Sequence, residues 1–173
     1  DSDIDCNILD VAGHYNAAAS LIQSDAERLE LTRVNLRASR RAKRSAAFVA
    51  ARDYLRSGME VMISDLWEQE PTLAYELFKE RGELEYLNGE FNNAQAFVLE
   101  AIEKVEDVFR QCELYRMLIV QYTLLADYNQ AINTARDGLA LFGVQLHTVN
   151  YETWSEEEFA TISAALNLSF INI

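Results

Sequence analysis

Acidic and amide side chains alternate at the start of the chain, in the spacing that a calcium-binding loop uses for its first ligands. They are Asp1, Asp3, Asp5 and Asn7. Such a loop also needs a glycine at its sixth position for a sharp turn and a bidentate glutamate at its twelfth. This chain has Cys6 and Ala12 there, so the pattern does not predict a calcium site.

The two histidines and two cysteines lack the spacing of zinc ligands. Cys6 and Cys112 are far apart and form no CxxC pair, which is typical of small buried residues in a reduced, cytoplasmic protein. His14 lies near the apolar side of a predicted helix, where we expect a hydrogen-bonded structural histidine. His147 falls in a predicted loop. None of the four is expected to bind a metal or act in catalysis.

The sequences typical of a phosphate-binding P-loop, a nucleophile elbow and a zinc-protease helix are all absent. The consecutive carboxylates 156–158 point in different directions on a helix and suit its N-terminal dipole better than paired acid–base work. Trp67 and Trp154 lie near helix starts, where we expect them to anchor loops. We therefore expect no catalytic residue, no cofactor and no enzymatic activity. The alternative is a small helical ligand-binding bundle or enzyme with an unrecognised site.

A basic segment stands out from a chain whose net charge is −13. Residues 28–56 hold nine of the fifteen basic side chains and only two acids. Five arginines form a stripe at helical spacing: Arg33, Arg37, Arg40, Arg41 and Arg44. One interpretation is a solvated face with partners on the same helix, such as Glu30. Another is a docking face for an acidic surface of a partner or a neighbouring domain. The acidic chain disfavours a third, nucleic-acid binding.

The composition predicts an all-α fold. One proline and six glycines provide little turn chemistry for a β fold, whereas helix-forming residues are abundant. No apolar stretch is long enough to cross a membrane, and there is no signal peptide. The length suits one domain or one segment of a repeat array. Because the chain begins with Asp1, we expect a piece of a longer cytoplasmic protein.

Hydrophobic periodicity and helix caps divide the chain into helix pairs. We expect a leading helix at 4–22 within 1–23, then hairpins at 24–63, 64–108 and 109–143, and a loop and terminal helix at 144–173. The paired helices are predicted at 25–44 and 46–63, at 71–87 and 91–108, and at 110–125 and 128–142. A polar loop is predicted at 64–70. Capping boxes at Ser24–Glu27 and Ser155–Glu158 mark two helix starts, and the last helix should end near Asn167.

One pattern of aromatic and small residues occurs three times. An aromatic residue precedes an alanine by three positions, and another small residue follows that alanine by seven. The three sets are Phe48, Ala51 and Gly58; Phe91, Ala94 and Ala101; and Tyr128, Ala131 and Gly138. Gly82 is a further small residue, twelve positions before Ala94. Spacings of 43 and 37 residues indicate a repeat array, and small residues at helix contacts let the axes approach closely.

The three sets resemble the tetratricopeptide repeat, most closely along Gly82, Gly89-Glu90-Phe91, Ala94 and Ala101. The spacings are longer than the usual 34, and the usual terminal proline is absent. The resemblance implies antiparallel helix hairpins stacked into an α-solenoid, whose concave face binds a peptide or a neighbouring domain.

A closer resemblance covers residues 8–146. It rests on His14-Tyr15-Asn16, Asn35-Leu36-Arg37-Ala38, Tyr86-Leu87-Asn88-Gly89 and Leu141-Phe142-Gly143-Val144. These runs are similar to the helical region of large hybrid signalling kinases. In that family a serine/threonine-kinase-like domain and a P-loop ATPase precede the repeats, and a GAF sensor and a histidine kinase often follow. The resemblance implies a non-catalytic scaffold whose partners are proteins or neighbouring domains of the same chain.

Overall fold

The computed structural model describes residues 7–145, and every regular element in that range is helical. The elements, with a 3-10 turn at Ala19–Leu21 after the first, are α1 (Ile8–Ala17), α2 (Asp25–Arg44), α3 (Phe48–Val61), α4 (Leu66–Gln69), α5 (Pro71–Leu87), α6 (Phe91–Lys104), α7 (Val108–Leu124) and α8 (Tyr128–Ala140). The all-α prediction is confirmed for these residues. None of their helices is both long and apolar enough to cross a bilayer.

The start of α2 follows from the predicted capping box. Ser24 Oγ accepts a hydrogen bond from the Glu27 amide at 3.3 Å, and the Glu27 carboxylate accepts one from the Ser24 amide at 3.3 Å. These two bonds satisfy amides that a helix start would otherwise leave unpaired. The hydrogen bonds to Ser24 lower the pKa of Glu27. The sequence therefore predicted both the start of α2 and its cause.

Each long helix packs most closely on the helix that follows it across a short turn: α2 on α3, α5 on α6, and α7 on α8. Further contacts join α1 to α2, α3 to α5, and α6 to α7. The main core runs along this series and includes Leu36, Leu55, Leu77, Val98 and Leu118. Burying these apolar side chains stabilises the series, since each contributes about 1.5–3 kcal/mol when fully buried.

The turns inside the three helix pairs share one backbone geometry. The residue after the helix cap has a left-handed conformation, with φ of 57° at Ala46, 83° at Gly89 and 59° at Ala126. In each turn its amide donates to the carbonyl three residues earlier, and the next amide donates to the carbonyl five residues earlier. This double bond pattern is the Schellman motif, which usually has glycine at the left-handed position. Two of the three turns have alanine at this position. Among them, the sequence therefore indicated a left-handed residue only at Gly89.

Replacing Ala126 with glycine is expected to raise the free energy of unfolding by about 1 kcal/mol, because a left-handed conformation strains a side chain that has a Cβ. Urea denaturation of the two proteins measures the difference. Gly89→Ala is the reciprocal control and should destabilise by a similar amount, because a Cβ at Gly89 meets no atom within 4 Å and only backbone strain changes. If Ala126→Gly were destabilising, the strain at this turn would be refuted.

The first helix and the connections differ from the prediction. The expected helix at 4–22 is α1 at Ile8–Ala17 and the 3-10 turn, because the chain tightens at Ala18. Residues 4–6 of that helix lie outside the described range. The expected loop at 64–70 contains α4, which forms because Leu66 is buried and the Trp67 ring packs 5.1 Å from that of Phe78.

Four predicted helices also have different bounds. Those expected at 110–125 and 128–142 are α7 at Val108–Leu124 and α8 at Tyr128–Ala140. The helix expected at 46–63 is α3 at Phe48–Val61, since Ala46 is left-handed. The helix expected at 91–108 ends at Lys104, because Val105 is extended and the Asp107 carboxylate caps α7 by accepting from the Arg110 amide at 2.8 Å. The predicted loop from 146 onward, the capping box at 155 and the terminal helix lie outside the described residues.

Candidate functional site

Two of the five arginines of the basic stripe, Arg33 and Arg40, form ion pairs with α5 or its cap. Arg40 pairs with Glu76 at 3.2 Å and with Glu80 at 3.4 Å. Its neighbour Lys43 pairs with Glu80 at 2.5 Å and with Glu83 at 3.0 Å. In the middle of α2, Arg33 contacts Glu70, at the cap of α5, at 2.8 Å. The acidic surface that these basic groups contact therefore belongs to this chain.

For Arg33 the ion-pair partner is not on the same helix. Its carboxylate partner is Glu70, 37 residues further along the chain. The reason is geometric: α2 and α5 lie side by side, and Glu80 is buried between them. Arg37, Arg41 and Arg44 lie on the exposed side of α2. The five arginines thus belong to two surfaces, not one.

The electrostatics of the α2–α5 contact favour charged side chains. Burial opposes the ammonium form of Lys43, but hydrogen bonds to Glu80 and Glu83 outweigh it and raise the pKa of Lys43. Sharing the Glu80 carboxylate between Arg40 and Lys43 compensates the burial of that carboxylate, which would otherwise destabilise the fold. This contact therefore fixes α5 against α2 at a defined register.

A similar contact joins α5 to α7. Lys79 pairs with Glu113 at 2.5 Å, and the Tyr75 hydroxyl donates a hydrogen bond to the same carboxylate. Arg110 lies 4.9 Å above the Tyr75 ring. Burial and the bond to Glu113 raise the pKa of Tyr75, while bonds from Lys79 and Tyr75 lower that of Glu113. In both contacts the cation lies on the earlier helix and the carboxylate on the later one. We call the α2–α5 and α5–α7 contacts together the ion-pair ladder.

The ladder contributes a pH-dependent term. Because the folded pKa of Glu113 is depressed, its contribution is complete well above the unfolded pKa of about 4.3 and is lost as the pH falls through the folded value. Glu113→Gln should therefore lower the free energy of unfolding at pH 7 and change it less at pH 3. Urea denaturation at both values measures this. Glu103→Gln, at an exposed position of α6, should give no such pH dependence. An equal loss at both pH values from Glu113→Gln would contradict the assignment.

The small residues of the repeat lie where helices approach each other. Ala51, Ala94, Ala101 and Ala131 are buried. A Cβ added at Gly58 would lie 2.9 Å from Asn35 Cβ, one at Gly82 would lie 2.5 Å from Val98 Cγ2, and one at Gly138 would lie 3.2 Å from Tyr115 Cβ. The repeat aromatics are less enclosed: Phe48 is half-buried, whereas Phe91 and Tyr128 are exposed.

Two polar contacts were not predicted from sequence. Asn16 and Asn35 form a reciprocal amide pair, with N–O distances of 2.9 and 2.8 Å, that joins α1 to α2. Glu85 is buried and contacts Arg81 at 2.5 Å, while the Arg81 guanidinium stacks over Phe97 at 5.1 Å. The i,i+4 spacing of Arg81 and Glu85 in the sequence was a signal for this ion pair. Whether such a pair affects stability depends on its burial, which the spacing does not give.

An open groove lies between α1 and the start of α2, with a volume of about 500 Å³. Its lining is mostly apolar and includes Tyr15, Leu21 and Ile22, with Glu27 and Glu30 as the acidic members. His14 also lines it and is exposed, so its predicted position near the buried side of the helix is wrong. The Glu27 carboxylate is already engaged by its cap. Residues 7–145 contain no cluster of three or more potential metal ligands.

Comparison with known proteins relates this chain to a signalling kinase. Over 149 residues it is 21% identical to hybrid signal transduction histidine kinase G of Dictyostelium discoideum. The match covers 81% of this chain but only 4% of that protein's length. No family model matches, and no solved structure matches significantly. Residues 7–145 are thus all-helical, and the chain has weak similarity to a small part of a hybrid histidine kinase.

Proposed function

We propose that this chain is a tetratricopeptide-like α-solenoid segment that acts as a non-catalytic scaffold between domains or proteins in a cytoplasmic, multidomain signalling kinase or ATPase. The observation that carries the proposal is the repeated geometry of the three helix pairs. They share the Schellman turn, and each has a buried alanine at the matching position: Ala51, Ala94 and Ala131. Repeated units of this kind bury a continuous core and leave extended surfaces for partners.

The ion-pair ladder gives the scaffold a defined shape. It joins α2, α5 and α7, the first helices of the three pairs, through long charged side chains on one side of the array. Because each ion pair bridges two successive helix pairs, it opposes their rotation relative to each other. A stiff array of this kind transmits a displacement at one end to the domain at the other, which is the property that a coupling element needs.

Arg41 and Arg44 suit a contact with a protein partner. Both are exposed at the end of α2, and neither has an ion-pair partner among residues 7–145. A carboxylate-bearing domain of the same protein would bind there by charge complementarity, with a salt-sensitive affinity. The similarity to a hybrid histidine kinase supports a signalling context of this kind.

The experiment is to change the scaffold in the full-length protein without removing its domains. Arg41→Glu with Arg44→Glu tests the contact, and Arg56→Glu, an exposed residue of α3, is the control. We expect the double variant to lose its response to the signal while kinase or ATPase turnover without signal stays unchanged. An unchanged response, together with an unchanged response after the segment is deleted, would refute the scaffold role. Catalytic turnover by the isolated segment would instead indicate an enzyme.

A further inference from the structure

The groove between α1 and the start of α2 exposes large apolar side chains. Leu21 is 77% exposed and Tyr15 is 45% exposed, and both line the groove together with Ile22. Single exposed apolar residues are common on soluble proteins, whereas apolar side chains gathered in a concave surface mark a contact site. The volume of about 500 Å³ lies within the usual range of binding sites.

The packing of α1 explains why this groove is open. Among the described residues, α1 packs mainly on α2, while α2, α3, α5, α6 and α7 each contact at least two other helices. The amide pair of Asn16 and Asn35 and the buried side chains of Ile8 and Ala12 fix α1 against α2. Beyond them, the 3-10 turn at Ala19–Leu21 leaves its last residue exposed beside the start of α2.

The groove is also acidic, and we call it the acidic groove. Glu27 and Glu30 line it, residues 7–27 contain no lysine or arginine, and none lies among the described residues of the lining. Hydrogen bonds from Ser24 lower the pKa of Glu27, so this capping carboxylate is charged at neutral pH. Glu30 is exposed, and Arg33, one turn further along α2, pairs with Glu70 instead. Two negative charges therefore lie beside the apolar surface.

We propose that the acidic groove binds an amphipathic helix of a partner protein, with its apolar side chains against Leu21 and its lysines or arginines beside Glu27 and Glu30. Apolar residues at steps of three and four on such a helix suit a concave surface between two helices. The carboxylates favour a basic partner over an acidic one, because like charges across an interface oppose binding. This surface is separate from the exposed arginines at the other end of α2, so the inference goes beyond the proposed scaffold role.

Binding of a labelled peptide to the 173-residue chain tests the proposal. The probe is a helical peptide of about 18 residues, with leucines along one side and lysines along the other. Its control has glutamate in place of every lysine. By fluorescence anisotropy, we expect the lysine peptide to bind and the glutamate peptide not to bind. Raising the salt concentration from about 0.05 M to about 0.5 M should weaken the lysine peptide several-fold, because salt screens exposed charges.

Matched variants locate the contact on the chain. Leu21→Ser removes an apolar side chain of the groove and Glu30→Lys reverses a charge at its edge, and each should weaken binding about tenfold. Val49→Ser, at an exposed position of α3, and Glu103→Lys, at an exposed position of α6, make the corresponding changes elsewhere. These two controls should change the affinity by less than about twofold. Because all four side chains are exposed, circular dichroism should show an unchanged helical fold.

Four results would overturn this assignment. Equal weakening by Glu30→Lys and Glu103→Lys would indicate a general attraction of the lysine peptide to an acidic chain. Equal binding of the glutamate peptide would exclude a basic partner, and absence of binding by the lysine peptide would exclude the amphipathic helix. Self-association of the chain that Leu21→Ser abolishes would assign the groove to a second copy. Weakening by the two groove variants alone is the result that supports the proposal.

Discussion

Replacing Arg81 with methionine is expected to lower the free energy of unfolding by about 3 kcal/mol, the lower end of the range for breaking a buried ion pair. The Glu85 side chain is 3% exposed and lies 2.5 Å from Arg81, whereas Arg52 is 4.0 Å away. Without Arg81 the carboxylate stays buried with only the more distant cation. Chemical denaturation of the two proteins at pH 7 measures the loss.

A double-mutant cycle separates the ion pair from packing. Glu85→Leu added to Arg81→Met should recover most of the lost stability, because two apolar side chains leave no buried charge unpaired. Arg56→Met is the matched control: Arg56 pairs with Asp53 and Glu60, but it is 58% exposed, so its loss should be within about 0.5 kcal/mol. Additive losses from the two single variants would show that Arg81 stabilises through the Phe97 ring alone.

Replacing Gly82 with alanine is expected to lower the free energy of unfolding by about 2 kcal/mol. The new Cβ would lie 2.5 Å from Val98 Cγ2, 3.2 Å from the Ala94 carbonyl oxygen and 3.3 Å from Met117 Cε. These atoms belong to α6 and α7, so relief requires movement of two helices, and overpacking of this kind costs about 1–3 kcal/mol. The expected loss of about 2 kcal/mol already includes the stabilisation of about 1 kcal/mol that alanine usually gives over glycine within a helix.

Gly13→Ala provides the control for that variant. Gly13 is also inside a helix, but a Cβ there meets nothing within 4 Å, so only the helix-propensity gain of about 1 kcal/mol should appear. Opposite signs at the two glycines would locate the effect in helix contacts. Stabilisation by Gly82→Ala would contradict the close approach of α5, α6 and α7. Thermal unfolding of both variants distinguishes these outcomes.

The two variants affect different features of the same helix. Gly82 sets how closely α5 approaches its neighbours, and Arg81 neutralises a carboxylate that this close approach buries. The ion-pair ladder then fixes the register of α5 between α2 and α7 through Glu80 and Lys79. Because α5 lies in the middle of this series of helices, we expect substitutions in α5 to affect the packing of the whole array. They should also alter the proposed signalling response.

Features that depend on near neighbours in sequence were predictable. The Ser24–Glu27 capping box and the helix formers specified the helices, because caps and propensity act within about four residues. The positions of Ala51 and Gly82 followed from their recurrence, since a small side chain repeated at matching places is typical of close helix contacts. The all-α class and the division into successive long helices could therefore be derived without coordinates.

Features that join distant residues required the tertiary structure. The choice of Glu80 rather than Glu30 as a partner of the basic stripe depends on how α5 lies against α2, and charge alone does not specify this. Burial of Glu85 and left-handed turns at two alanines likewise arise because packing outweighs local preference. Sequence determined the helices and their small contact residues through short-range interactions. The fold decided which charges are paired and which are exposed, because both depend on the distance between helices that are far apart in the chain.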